Sequence, residues 1–308
     1  MSPILNLIRL PNLVVVVLMQ WLLYQHFIAK VFIEHQLSPA LGSNMAILFI
    51  AVTTLITAGG YAINDLLDIK ADGINRPNRI IAGHRLSIPA VKWLYFLFVA
   101  AGYVLALYIS MKLGKPGLIS YYLIFVAGLY TYSRRLKRLP LIGNFWVAAY
   151  CAGAIGMLWF AERQTYLKLM VTAPQAAGAL RSILLFFMAF AFLSTLLREI
   201  VKDMQDEPGD RHCGYQTAPV VWGMAFSRKA AFATALLLAV LIGIAAFGLQ
   251  TYWINNLAPV WLGMVLLVLA VICILLAKAA TPNAFRRISL LTKAMMLGGI
   301  LWLLFLHL

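Results

Sequence analysis

Asn64-Asp65-Leu66-Leu67-Asp68-Ile69-Lys70-Ala71-Asp72-Gly73-Ile74-Asn75-Arg76-Pro77-Asn78-Arg79 is the stretch from which the rest of the chain is read. It follows a long apolar segment. Asn64, Asp68 and Asp72 are each four residues apart, so a helix carried through them aims all three at one side. A second stretch answers it, Arg198-Glu199-Ile200-Val201-Lys202-Asp203-Met204-Gln205-Asp206-Glu207-Pro208-Gly209-Asp210, in which Glu199, Asp203, Asp206 and Asp210 recur at three and four. Together they hold eight of the ten acidic residues, with Glu34 and Glu162 elsewhere. In an apolar chain, ionisable groups gathered beside the spans mark a pathway or a reaction site.

The 308 residues are 63% hydrophobic and 11% charged, and the mean hydropathy is +0.88, beyond what a soluble core requires. This is the composition of a membrane protein. The formal charge of +15 is spread among loops without a long basic run, so it points to anionic lipid headgroups and a polyanionic substrate, and away from nucleic acid. Cys151, Cys213 and Cys273 are scattered and lack metal-ligand spacing, which argues against both a disulfide framework and a zinc site. The opening residues carry one base, Arg9, before an apolar run too long for a signal peptide, so that run is read as the first span.

A span needs about 20 apolar residues. The hydropathic runs predict an all-α polytopic membrane bundle of nine transmembrane helices in a single domain over residues 1–308. The spans fall near 12–33, 44–64, 89–111, 117–134, 141–161, 181–199, 229–249, 257–278 and 288–308. The first acidic motif, 64–79, then follows span two, and the second, 198–217, follows span six. With the amino terminus in the cytoplasm, 19 of the 25 Lys and Arg residues fall on the inner side, Lys293 among them. The positive-inside rule therefore sets both acidic stretches at the cytoplasmic face of the cell membrane.

Two carboxylates about 6 Å apart repel by roughly 3 kcal/mol at an effective dielectric near 20, so converging acids demand cations. Mg²⁺ suits them, being hard, oxygen-seeking and given to sharing protein carboxylates with substrate phosphates. Bases stand beside the acids: Arg76 and Arg79, Arg198 and Lys202, and the loop Arg134-Arg135-Leu136-Lys137-Arg138. Acids for metal and bases for free phosphate oxygens make a diphosphate site. At the rim of an apolar bundle, its natural substrate is an isoprenoid diphosphate. The basic loop also serves as a topology anchor, and solvated surface is the simpler reading for Asp65 and Glu207, which lie off the shared faces.

The pattern Asn64-x-x-x-Asp68-x-x-x-Asp72 with Asn75-Arg76-Pro77-x-Arg79, paired with Asp206-x-x-x-Asp210 and Gly214-x-x-Thr217, resembles the UbiA superfamily of intramembrane prenyltransferases. That resemblance implies a UbiA-type bundle in which Asn64, Asp68, Asp72, Asp206 and Asp210 hold Mg²⁺, with Asp203 and Glu199 as neighbours. It implies that Arg76, Arg79, Lys137, Lys202, Arg198 and Tyr132 receive the diphosphate, and that Asp68, Asp72, Asp206, Asp210 and Glu199 serve catalysis. Glu199 is then a candidate proton acceptor. Tyr132 and Lys137 are five apart where the family's pair is often four apart, which leaves Arg134 after Tyr130 as the alternative. Arg198-Glu199-Ile200-Val201-Lys202-Asp203 and Gly143-Asn144 resemble the subgroup that transfers geranylgeranyl to a geranylgeranylglyceryl phosphate lipid. The rivals are transfer to an aromatic acceptor, phosphoalcohol transfer between lipids and, in another class, a membrane transporter.

Overall fold

The computed structural model describes residues 2–77, 80–252, 254 and 256–307. After a short α1 (Pro3–Leu7), α2 (Leu10–Leu23) passes through a π-turn at Tyr24–Ile28 into α3 (Ala29–Glu34), together forming the first span. The second is α4 (Gly42–Leu67), followed by the short α5 (Ile69–Asn75) and then α6 (Ile88–Leu113). Next come α7 (Gly117–Arg134), α8 (Ile142–Ala161), the short α9 (Arg163–Thr172) and α10 (Pro174–His212). The chain ends with α11 (Ala218–Val221), α12 (Gly223–Gly248), α13 (Leu257–Lys278) and α14 (Pro282–Leu301).

Among the described residues, eight helical segments are long and apolar enough to cross a membrane, against the nine expected. The difference lies at α7. Its 18 residues reach about 27 Å at 1.5 Å per residue, short of a roughly 30 Å hydrocarbon core, and its tyrosines, Ser120, Thr131 and Ser133 dilute its hydropathy. It nevertheless occupies the expected place in the bundle, packed on α4 and α6. The all-α, multi-pass membrane architecture stands.

Helix α10 organises one half, against α8, α12 and α14, while α4 organises the other, against α2, α6 and α7. Their meeting faces are large and apolar: Phe27, Phe32, Phe187, Phe285 and Trp302 are fully buried. Outward, Trp93, Phe96, Met111, Leu236, Phe247 and Leu267 are exposed, the surface a helix presents to lipid while its backbone satisfies its own hydrogen bonds.

Two local expectations are corrected. The first acidic stretch is not one unbroken helix, because α4 stops at Leu67 and Asp68 sits at φ −101°, ψ 4° before α5 begins. Four-residue register survives the bend, since Asp68 N donates to Asn64 O (3.0 Å) and Asp72 N to Asp68 O (2.8 Å). The second stretch does not follow a short span. α10 runs 39 residues, about 58 Å, so its acids stand on a helix that projects well past a bilayer core.

At the end of the bundle away from the acidic stretches, Glu162 is fully buried and latches the loop after α3. It accepts hydrogen bonds from Ala40 N (2.7 Å), Leu41 N (2.8 Å) and Tyr24 Oη (3.2 Å).

Candidate active site

The two acidic stretches touch. Asn75, at the end of α5, donates from Nδ2 to the carbonyl of Asp206 (2.9 Å) and accepts at Oδ1 from the backbone N–H of Gly209 (2.9 Å). Only glycine fits there, because a Cβ at position 209 would lie 2.4 Å from Asn75 Nδ2. Pro208, just before it inside α10, removes one helical donor at the same turn. One residue along, the Arg76 guanidinium bridges both Asp206 carboxylate oxygens, at 2.7 and 2.6 Å. Burial opposes its charge, but the carboxylates of Asp206 and Asp72 together outweigh burial and raise its pKa above the ordinary arginine value.

A third element enters from the turn between α7 and α8. Lys137 Nζ donates to Asn64 Oδ1 (3.1 Å) and pairs closely with Asp68, while Asn64 Nδ2 donates to the other Asp68 oxygen (2.8 Å). Burial lowers the Lys137 pKa, and the Asp68 carboxylate works against that shift. Gly143 is what lets the turn come so close to α8, since a Cβ there would sit 2.6 Å from Lys137 Cα. The competing candidate, Arg134, instead donates to Tyr130 Oη (3.3 Å) at the surface.

The other acids meet different neighbours. Asp203 accepts from Asn144 Nδ2 of α8 (2.8 Å), and Asp210 accepts from Thr217 Oγ1 (3.2 Å). Glu199 pairs with Arg198 and lies 3.8 Å from Lys202 Nζ. Asp72 is partly buried beside Asp68, and desolvation first, then the neighbouring charge, raises its pKa above the ordinary aspartate value. The solvated-surface reading of Asp65 and Glu207 is corrected, because Asp65 pairs with Arg9 (2.8 Å) and Glu207 with Arg211 (2.6 Å) and both side chains are largely shielded. Arg79 lies outside the described residues.

Beneath this rim a cavity of about 500 Å³ descends between the helices, lined near its mouth by Asn64, Tyr132, Glu199 and Lys202 and deeper down mostly by apolar side chains. Two basic residues that sequence reading did not place here also reach its wall. Arg9 precedes α2, and Lys293, counted above among the inner-side bases although it falls within the ninth expected span, lies inside α14 and donates to Asn12 Oδ1 (3.0 Å). The available signal was a lysine eleven residues into an apolar helix, where a charge is expensive unless a polar cavity receives it.

Among the described residues, no three Asp, Glu, His or Cys side chains gather closely enough to hold one ion, and Lys137 and Arg76 pair with Asp68 and Asp206. The donor chemistry fits Mg²⁺, since the set consists of carboxylates and one amide oxygen. An anion fits as well: Nε of Arg76, Arg138 and Arg198 is buried without a hydrogen-bond partner among the described residues, and such donors suit phosphate oxygens. Arg138 is steadied over the Tyr215 ring (4.6 Å), and its carbonyl accepts from Gln216 N (2.9 Å), tying the basic turn to the segment after the second stretch.

A helical membrane bundle with paired acidic segments and partly buried arginines beside the mouth of an apolar cavity defines a class of intramembrane protein. Residues 22–305 match the UbiA prenyltransferase family, and the chain belongs to it. It is similar to digeranylgeranylglyceryl phosphate synthases: 36% identical over 197 residues to that of Methanopyrus kandleri, covering 64% of this chain and 65% of the relative. Against that of Ignicoccus hospitalis it is 34% identical over 187 residues, covering 60% and 56%. The matched stretch thus spans 56 to 65% of the length of these relatives. In fold it is similar to a structure reported for digeranylgeranylglyceryl phosphate synthase in membranes (TM-score 0.62, 22% identity, covering 98% of this chain and 96% of the other). It is also similar in fold to a UbiA homologue of Archaeoglobus fulgidus bound to dimethylallyl diphosphate and Mg²⁺ (TM-score 0.56, 14% identity, 99% and 100%).

Proposed function

We propose that this protein is a Mg²⁺-dependent prenyltransferase, one catalytic domain over residues 1–308, moving a geranylgeranyl group from its diphosphate to the free hydroxyl of geranylgeranylglyceryl phosphate. The observation that carries this reading is the Asn75 and Arg76 junction, which brings two acidic stretches together at the mouth of an apolar cavity. Names borne by relatives at 34 to 36% identity support the acceptor, as does the pair of cations, Arg9 and Lys293, on the cavity wall.

In this reading the prenyl tail lies in the cavity and the diphosphate at the rim, with the acidic face toward the cytoplasm. Asn64, Asp68, Asp72, Asp203, Asp206 and Asp210 are the metal-side oxygen donors. Bound Mg²⁺ would supply positive charge for the leaving diphosphate. Arg76, Arg79, Arg198, Lys137 and Lys202 take up its remaining charge, which grows as the carbon–oxygen bond to the prenyl group breaks. Tyr132, on the cavity wall, stays a diphosphate contact, and its ring also stabilises the cationic allylic carbon. The acceptor oxygen then bonds to that carbon and its proton passes to Glu199, which also lines the cavity.

The test is purified protein with Mg²⁺, geranylgeranyl diphosphate and a panel of geranylgeranylglyceryl phosphate, hydroxybenzoate, dihydroxynaphthoate and homogentisate, read by product mass. The expected product is the diether lipid phosphate. A prenylated ring instead would overturn the acceptor, and no prenylated product from any acceptor would overturn the reaction.

A further inference from the structure

Two cavities lie side by side in the bundle, and two side chains belong to the walls of both. The first is the cavity that descends from the acidic rim; on α7 it extends from Tyr132 to Leu118, about 21 Å at 1.5 Å per residue. The second, of about 490 Å³, lies toward the opposite end between α7, α8, α9 and α10. Phe125 of α7 and Met157 of α8 line both.

This partition is made of side chains held in place by their surroundings. The Phe125 ring packs on Tyr150 with centroids 4.7 Å apart. It fills the space left open by Gly153, one turn before Met157, where a Cβ would come within 3.0 Å of Phe125 Cζ. Beyond the partition, Gly156 leaves volume that a Cβ would share with Met188 Cε at 3.2 Å. Truncating Phe125 and Met157 would therefore open one apolar space into the other without cutting the backbone.

A channel closed by packed side chains measures whatever chain enters it. Each methylene that finds apolar cover gains about 0.8 kcal/mol, and each one forced against a packed wall costs strain. Resting on the prenyl-transfer reading above, we infer that Phe125 and Met157 are the side wall that closes the donor channel off from the second cavity, and so set the length of prenyl chain the protein accepts. The second cavity is the space into which the distal isoprene units of a longer donor extend once that wall is removed.

The test uses the full chain in nanodiscs with Mg²⁺, one fixed acceptor, and prenyl diphosphates of ten to thirty carbons. It reads both kcat/KM and the rise in Tm on binding. In Phe125→Ala/Met157→Ala, the preference for the thirty-carbon over the twenty-carbon donor is expected to rise at least about tenfold over wild type, as the extra isoprene units become buried. Adding Gly156→Leu, which fills the second cavity, returns the preference to its wild-type value. Met157→Phe thickens that wall, narrows the channel and shifts preference toward the fifteen-carbon donor, an opposite sign that loss of fold does not mimic. Unchanged length preference in both the Ala and Phe variants overturns the inference and leaves prenyl transfer standing. So does a gain that survives Gly156→Leu, or a change in acceptor length preference alone. If wild-type protein is neither stabilised by any donor nor active with one, the underlying reaction falls, and the inference with it.

Discussion

Asn75 uses both ends of one amide to hold the second acidic stretch, and Gly209 is the residue that lets it. Asn75→Ala leaves two partly buried backbone groups without that partner, a loss of about 1 to 2 kcal/mol that lowers Tm in a thermal melt. Gly209→Ala is expected to destabilise at least as much, because the new methyl meets Asn75 at 2.4 Å. The double variant should cost less than the sum of the two, since truncating Asn75 removes the clash; a double-mutant cycle that comes out additive would contradict this packing. Asp68→Ala and Asp206→Ala should each reduce prenyl transfer by about a thousandfold or more, roughly 4 kcal/mol in the barrier, while the melt stays cooperative. Asp72 gives a pH signature. Its carboxyl is raised in the fold, so the folded state holds the proton longer than the unfolded chain. Without Mg²⁺, stability should therefore fall as pH rises from the ordinary aspartate value through the raised one. Asp72→Asn should flatten that fall, and added Mg²⁺ should offset it, both read from Tm against pH.

At the scale of elements, the site depends on how closely the turn after α7 lies against α8. Gly143→Ala places a methyl 2.6 Å from the Lys137 backbone, which cannot swing aside as a long side chain can. The expected result is a rise of about tenfold in KM for the prenyl diphosphate as Lys137 leaves Asn64 and Asp68, with a smaller loss in Tm. Glu162 offers the contrasting case at the far end of the bundle. Glu162→Ala strips partners from Ala40 N, Leu41 N and Tyr24 and should cost about 2 to 4 kcal/mol of stability, with KM for the donor unmoved. Sequence pattern located the long helices well, because twenty-residue apolar runs have few alternatives in a membrane protein. It missed the bend at Asp68 and the length of α10, since both depend on what packs beside them.

For the molecule as a whole, the proposed orientation makes the rim that carries Cys213 cytoplasmic. A variant retaining Cys213 as its single cysteine should react with an impermeant maleimide in inverted membrane vesicles and stay unlabelled in intact cells; the reverse pattern would invert the topology. The membrane class, the pairing of two acidic stretches and the choice of a hard cation with a diphosphate could all be argued from the chain itself. Hydropathy over twenty residues and charge clustered at helical spacing are local properties, written in consecutive residues. Which acid meets which base was decided only in three dimensions. Lys137 rather than Arg134 reaches Asp68, Asn75 grips Gly209, and Lys293 turns out to face a cavity from inside α14. These contacts join residues far apart along the chain, and helix packing at ångström tolerance, which no periodicity encodes, determines whether their side chains meet.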